Sequence, residues 1–501
     1  MVTAPVDPAS ERKNVGVITV TVMLGLIMAI IDSTIVNVAL PTISGNLGAT
    51  IDEVSWVATG YILASVCVMP LNGWLTAYFG RKNFYAASLA IFTISSLLCG
   101  TATSIWQLVF YRIIQGIGGG ALQPTAQSIL FESYPKEKRG QAMAIFGLGA
   151  MVGPAVGPTL GGYIIDNTSW PLIFFINIPI GIAAFIMTLA FIPNPHYLEK
   201  PKRGVDWTGL TLLIAGLSSL QYVLERGEHD GWWDSPAIIL LTIVAIVSIS
   251  VFIWKMIRTR EPLVNLTMFR VRTYAVGNII GFISGFGLFG VTLILPLFLQ
   301  VMLNLTAFDT GLALLPGALA TAVTMFVLGR FGHKFDPRVL VGAGMLVFAY
   351  SAWALGGLTS ESGFWDVFWP RLIQGIGLGA LFVPLTTASL GEVPLAEMAG
   401  ATGVFTLVRQ LGGSFGIAIL TTLLTHEGAV AQNVLASGVT QTHGIPLSVL
   451  SGMVVQQATM ISYDYVFRLV AIVFVIAAPL VIFMRAPRKN PAAAQSAALL
   501  E

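Results

Sequence analysis

The sequence predicts an all-α polytopic membrane protein with 14 transmembrane helices, arranged as two pseudo-symmetric six-helix bundles plus an inserted helix pair. Three observations carry this. Of 501 residues, 55% are hydrophobic and only 10% charged, where a soluble domain carries about 25% charged residues. The apolar residues gather into fourteen stretches, each near the ~20 residues that cross a bilayer. Finally, part of the first half of the chain returns in the second, 259 residues on.

Taken in order, a tail (1–15) with Arg12 and Lys13 precedes span 1 (16–40), an apolar run too long for a cleaved leader. Span 2 (53–77) begins after Asp52 and is followed by Arg81 and Lys82. Spans 3 to 6 (83–102, 106–131, 140–165, 171–192) complete a first bundle over 16–192, with Lys136, Lys138 and Arg139 between spans 4 and 5. Spans 7 and 8 (207–224, 236–257) form the inserted pair over 207–257. Spans 9 to 14 (274–299, 308–331, 339–358, 365–389, 400–424, 466–485) make a second bundle over 274–485, with a long outer loop at 425–465. A tail of 486–501 follows.

Basic residues fall almost wholly on the side of the two tails: Arg81, Lys200, Lys255, Arg270, Arg330, Arg338 and Arg485 among them. The opposite loops hold Asp52, Asp166, Asp309, Glu361 and Glu427, with Arg226 and Arg468 as exceptions. Positive charge marks the cytoplasmic side, so both termini are expected there.

The repeat pairs "YRIIQGIGGGALQP" (111–124) with "PRLIQGIGLGALFVP" (370–384). At nearly the same displacement "GWLTAYFGRK" faces "GRFGHKFDPR", and "NLGATID" faces "NLTAFD". Spans 1, 2 and 4 therefore correspond to 9, 10 and 12, and two parallel repeats can rock about a central cavity.

Few polar groups enter the spans. Asp32 stands alone in "IMAIIDSTIVNVALP", where a charge at the bilayer centre costs ~2.5–3.5 kcal/mol or more. Arg112, Gln115, Gly119 and Gln123 form one stripe of span 4, bonding to neighbouring helices or lining a cavity. By helical rise Asp32 and Arg112 lie at similar depths, so their approach and separation can make the acid release or bind a proton. Arg409, beside Gln410, is the other deep charge, either holding an anion or clasping backbone carbonyls. Arg371 repeats Arg112 without an answering acid, and is expected to reach outward near Asp366. Cys67 and Cys99 lie in apolar runs and read as buried thiols. His426 and His443 are too far apart to suggest a metal, and none is expected. "GIGGGA" follows no strand and is not a nucleotide site, and no phosphate-binding G-x-x-x-x-G-K-[ST] occurs.

In these motifs the chain resembles the major facilitator superfamily, within its fourteen-span drug:proton antiporter family and nearest its EmrB-type branch. "DSTIVNVALP" matches the acidic pattern of span 1, which implies proton coupling by Asp32; "RIIQGIG" implies the same for Arg112 and Gln115. "GLGAMVGPAVGPTLGG" matches the antiporter motif, through Gly149, Gly153, Pro154, Gly157, Pro158, Gly161 and Gly162. Its glycines permit close helix approach, and a tight seam between spans 5 and 8 or their counterparts is expected. "FFINIPIG", "SLQYVLERG" and "RQLGGSFGIAI" are further matches. The loop after span 2 keeps Gly73, Gly80, Arg81 and Lys82 but has Ala77 where the pattern has an acid.

The function expected is a proton-coupled antiporter exporting hydrophobic, often cationic, compounds by alternating access, without a cofactor. Asp32, Arg112, Gln115 and Arg409 would serve coupling, and Asn37, Gln123 and Gln410 the substrate cavity. The resemblance implies a periplasmic adaptor and an outer-membrane channel as partners, with loop 425–465 as docking site. The alternatives are a lipid or fatty-acid exporter of the same fold and, less favoured, a non-transporting receptor. No nucleophile, base and oxyanion set is available for an enzyme.

Overall fold

A computed structural model describes residues 15–195, 197–198, 200–201, 204–438 and 446–485. Both tails, Gln441 and His443 lie outside the described residues, as does the side chain of Pro154. All regular structure among the described residues is helical.

Fourteen long helices follow the fourteen expected spans: α1 (Val15–Leu47), α2 (Ile51–Phe79), α3 (Arg81–Gly100), α4 (Ile105–Ser133), α5 (Arg139–Asn167), α6 (Leu172–Phe191), α7 (Trp207–Arg226), α8 (Pro236–Arg258), α9 (Arg272–Val301), α10 (Ala307–Phe331), α11 (Pro337–Leu355), α12 (Phe364–Gly391), α13 (Met398–Gly438) and α14 (Leu447–Ala477). Thirteen stretches are long and apolar enough to cross a membrane. The other helix, α4, has the length but carries Arg112, Gln115, Gln123 and Gln127. It is wrapped by α3 and α2 and so need not be apolar all round.

Local chemistry sets the ends. Helix α1 does not stop at Pro41 as expected but runs on to Leu47. It ends where Gly48 takes φ 62° and Ala49 N donates to Ser44 O at 3.0 Å, a glycine C-cap. Asp32 is thus near mid-helix. Helix α2 begins with a capping box, Thr50 N to Glu53 Oε2 at 2.9 Å and Glu53 N to Thr50 Oγ1 at 3.2 Å. It passes through a 3₁₀ turn at Met69–Leu71, and Gly80, at φ 81°, turns the chain into α3.

The expected loop 425–465 is largely helix: α13 continues to Gly438 and α14 starts at Leu447. At 1.5 Å per residue the 41 residues of α13 reach about 60 Å, twice the hydrocarbon thickness. Polar residues in a continuous helical register hid this extension, because hydropathy reports the bilayer and not the helix.

Helices α9 to α14 pack around one set of buried side chains and α1 to α6 around two, one of which also takes in Met325, Phe382, Met398 and Ala401 of the second half and so joins the bundles. The end that carries Val15 and Arg485 is called the base. There the bundles meet closely: a Cβ on Gly73 would lie 2.7 Å from Gly400 Cα, one on Gly403 2.2 Å from Met69 O, and one on Gly140 3.3 Å from Gly329 O. Asn72 Nδ2 donates to Ala399 O at 2.8 Å while its Oδ1 accepts from Thr125 at 2.6 Å. Phe146 stacks on Phe382 above. The base is shut.

Helix α7 bridges the bundles on one flank. Ser218 meets Cys67, Tyr222 meets Trp56 and Arg226 donates to Ser55, all on α2. Gln221 donates to Ser414, Trp232 to Thr422, and Thr425 to Glu228, which tie the pair to α13. Asp206 caps α7 through Gly209 N and grips Lys255 of α8 at 2.5 Å, fastening the pair as a hairpin.

Candidate functional site: a buried carboxylate cluster

Asp32 needs compensation, and α4 and α6 supply it. Arg112 Nη1 donates to Asp32 Oδ2 at 2.5 Å; Gln115 Nε2 and Asn177 Nδ2 donate to Oδ1 at 3.0 and 2.7 Å. One turn of α4 separates Arg112 from Gln115, so both reach the same point of α1. Asn177 begins the main part of α6.

A second tier holds these donors. Gln115 Oε1 accepts from Arg112 Nη1 at 2.7 Å, and Arg112 Nε donates to Val57 O at 3.1 Å. Ser96 of α3 accepts from Gln115 and Asn177 and donates to Phe174 O at 2.9 Å. The guanidinium lies 4.3 Å over the Tyr61 ring. Asp32, Gln115 and Ser96 are 0% exposed, and Arg112 and Asn177 1%. Such a pair holds only because every partner is placed: removing one member typically costs 3–5 kcal/mol.

The cluster therefore lies inside the first bundle, not on the surface of a central cavity. Asp32, Arg112 and Gln115 come together as expected. Arg409 does not join them; it sits on α13 with its guanidinium 5.2 Å over the Phe382 ring and no carboxylate within ion-pair distance among the described residues. Asn37 stands exposed on α1, and Gln123 and Gln410 are half-buried. The polar stripe of α4 starts as interhelical hydrogen bonding, and at Gly119 it meets the Tyr61 hydroxyl. Arg371 bonds Gln374 and not Asp366, which caps α12 through Gly363 N. The second bundle thus repeats the arginine–glutamine pair without the acid.

The antiporter motif packs against α1, not against span 8. A Cβ on Gly149 would come within 2.1 Å of Met23, on Gly153 2.1 Å from Ile30 Cγ2 and 2.9 Å from Ile30 O, on Gly157 2.0 Å from Thr34, and on Gly161 2.8 Å from Ile35. Thr34 also donates to Gly153 O at 3.0 Å. The four-residue spacing makes one stripe, and its natural complement is the nearest helix. Gly162 is off the stripe and meets nothing within 4 Å. Helix α1 is thereby held between the α5 glycines on one side and the Asp32 donors on the other.

At the base, Gly73 serves the seam and Gly80 the turn, while Lys82 N donates to Asn194 Oδ1 at 2.9 Å. Arg81 pairs with Glu132 at 2.5 Å and donates to the Tyr197 hydroxyl. Burial, aided by the Glu132 carboxylate, pushes that hydroxyl up to about 12. With Ala77 in place of an acid, the seam is made by Asn72 and glycine contacts.

Sequence reasoning missed Asn177, Ser96, Tyr61 and Glu132 as members of these clusters. "FFINIPIG" held the one usable signal, a single amide inside an aliphatic span.

Two helical bundles around a base seam, with one charged cluster buried in the bilayer, define a polytopic carrier and not an enzyme. The chain belongs to the Major Facilitator Superfamily, whose family model matches residues 22–417. It is 35% identical over 495 residues to the multidrug export protein EmrB of Escherichia coli (strain K12), covering 95% of this chain and 96% of that one. It is 34% identical to the fatty acid resistance protein FarB of Neisseria gonorrhoeae, covering 95% and 97%. The EmrB-type resemblance is borne out. Among solved structures it is similar to the proton:xylose symporter XylE, with TM-score 0.64 and 13% identity, covering 95% and 97%. The human organic anion transporter MFSD10 gives the same TM-score at 13% identity, covering 95% and 100%. At such identity these two show the fold alone.

Proposed function

We propose that this transporter is a proton-coupled antiporter that exports hydrophobic, often cationic, compounds across a bacterial inner membrane by alternating access, with both termini in the cytoplasm and no cofactor. The observation that carries the reading is the fully buried Asp32–Arg112 pair bridging α1 and α4. The carboxylate is stable here because three donors face it. Any rearrangement that draws α4 or α6 from α1 leaves it uncompensated in a low dielectric, and taking up a proton removes the cost. With the base shut, the structure suits the half of the cycle in which the proton has left Asp32 and cargo leaves on the outer side. Because the cluster is inside a bundle, coupling requires movement among α1, α4 and α6 as well as rocking of the bundles.

One charge moving through ~150 mV supplies about 3.5 kcal/mol, enough for a several-hundred-fold gradient at about 1.4 kcal/mol per decade. The test is substrate-triggered proton release from purified protein. Asp32→Asn should abolish release while expression is retained; its melting temperature should fall, because the amide nitrogen meets one of the three donors and Arg112 loses its counter-charge. Unaltered release by the variant sinks the reading.

A second reading, fatty-acid export, is favoured by Arg409, a half-buried cation without an acid partner among the described residues, and by the likeness to FarB. The helical projections of α13 and α14 are the proposed docking site for a periplasmic adaptor that leads to an outer-membrane channel.

A further inference from the structure

The inserted pair carries an acid that the coupling scheme does not use. Glu225 lies near the outer end of α7, exposed and without a basic partner among the described residues. Its direction follows from the helix. Ser218 and Tyr222 turn one flank of α7 to α2, and Gln221 turns the other to α13. At 3.6 residues per turn Glu225 projects about 20° from Ser218 on the Gln221 side, between the two contacts. It therefore points into the gap between α2 and α13, where the two bundles face each other.

A second observation marks the same place. Gln221 is 0% exposed, and its Nε2 donates to both Ser414 at 2.8 Å and Glu225 Oε1 at 2.9 Å, while its Oε1 has no hydrogen-bond partner. A buried, unpartnered carbonyl next to a carboxylate makes a cradle of negative potential, and leaving it empty has a desolvation cost. Trp56 and Tyr222, packed together at 5.6 Å beside it, supply aromatic surface. The nearby cations are engaged or distant: Arg226, the next residue, is taken up by Ser55, Asp52 and Asp230, while Arg409 lies five residues toward the base from Ser414 and Glu225 four residues toward the outer end from Gln221. The axial separation is about 13 Å.

We propose that Glu225, with Gln221 behind it, is the recognition site for the charged group of a lipophilic organic cation, reached from the gap between α2 and α13. The site rests on the reading of the protein as an exporter of such compounds. It gives the inserted pair a role in selecting cargo, and it leaves Asp32 to the proton alone.

Binding of tetraphenylphosphonium and of neutral triphenylphosphine oxide to purified full-length protein tests this. Glu225→Gln should raise the Kd for the cation about tenfold, leave the neutral ligand unchanged, and preserve the melting temperature; Glu225→Asp should retain most of the cation affinity. Cation affinity unchanged in Glu225→Gln overturns the proposal, as does equal loss of both ligands or no tetraphenylphosphonium binding by the unmodified protein. Substrate-triggered proton release that persists alongside any of these results removes the site but leaves the antiport reading standing.

Discussion

Asp32 shows how much a single residue can disclose. One acid in an aliphatic span demands a partner, and the stripe on α4 names two of them, Arg112 and Gln115. Asn177 and Ser96 were not legible in the same way, because lone amides and hydroxyls in membrane spans more often satisfy neighbouring backbone. Ser96 does that too, donating to Phe174 O. Glycines behave alike: spacing gave the α5 stripe, but not which helix it meets. Gly153 and Gly162 provide a matched test. Gly153→Ala forces a Cβ against the Ile30 carbonyl and should cost about 1–3 kcal/mol, read as a lowered melting temperature with loss of transport. Gly162→Ala enters open space and should change neither.

At the scale of elements, hydropathy located all fourteen helices but misjudged where several end. It stopped α1 at a proline that the helix accommodates, and took the outer turns of α13 and α14 for a loop. The α7–α8 hairpin depends on a contact that lies outside the bilayer pattern. Burial would raise the Asp206 carboxyl, but the Lys255 ammonium and the Gly209 and Thr208 donors outweigh it and hold the group below its usual range. A depressed acid contributes stability above its unfolded pKa of about 3.9 and loses it as pH falls through the folded value. Asp206→Asn should therefore melt earlier than the unmodified protein by a constant margin between pH 5 and 8. Below about pH 4 the margin should shrink, as thermal unfolding across that range would show.

For the molecule as a whole, the repeat foretold the pairing of spans 1, 2 and 4 with 9, 10 and 12 that the two bundles follow. The way this chain closes its base was not foretold, since Ala77 removes the expected acid. Asn72, fully buried between Thr125 and Ala399, bridges the bundles there. Asn72→Leu takes the acceptor from the Thr125 hydroxyl and the bridging donor from Ala399 O, which Thr402 Oγ1 still reaches; the orphaned hydroxyl costs about 1–3 kcal/mol. The population should shift toward a base-open form. Spin labels at Lys138 and Lys334, in a background without Cys67 and Cys99, should report a longer distance than in the unsubstituted protein. An unchanged distance distribution would show that glycine packing alone closes the seam.

The bridging helix also makes the two flanks of the carrier unequal. By touching α2 and α13 together, α7 shutters one side of the carrier from the surrounding lipid. On the other flank α5 packs directly against α10, with no third helix between them among the described residues. The two flanks are thus closed differently, one by a third helix and the other by direct packing, although the halves descend from one pattern.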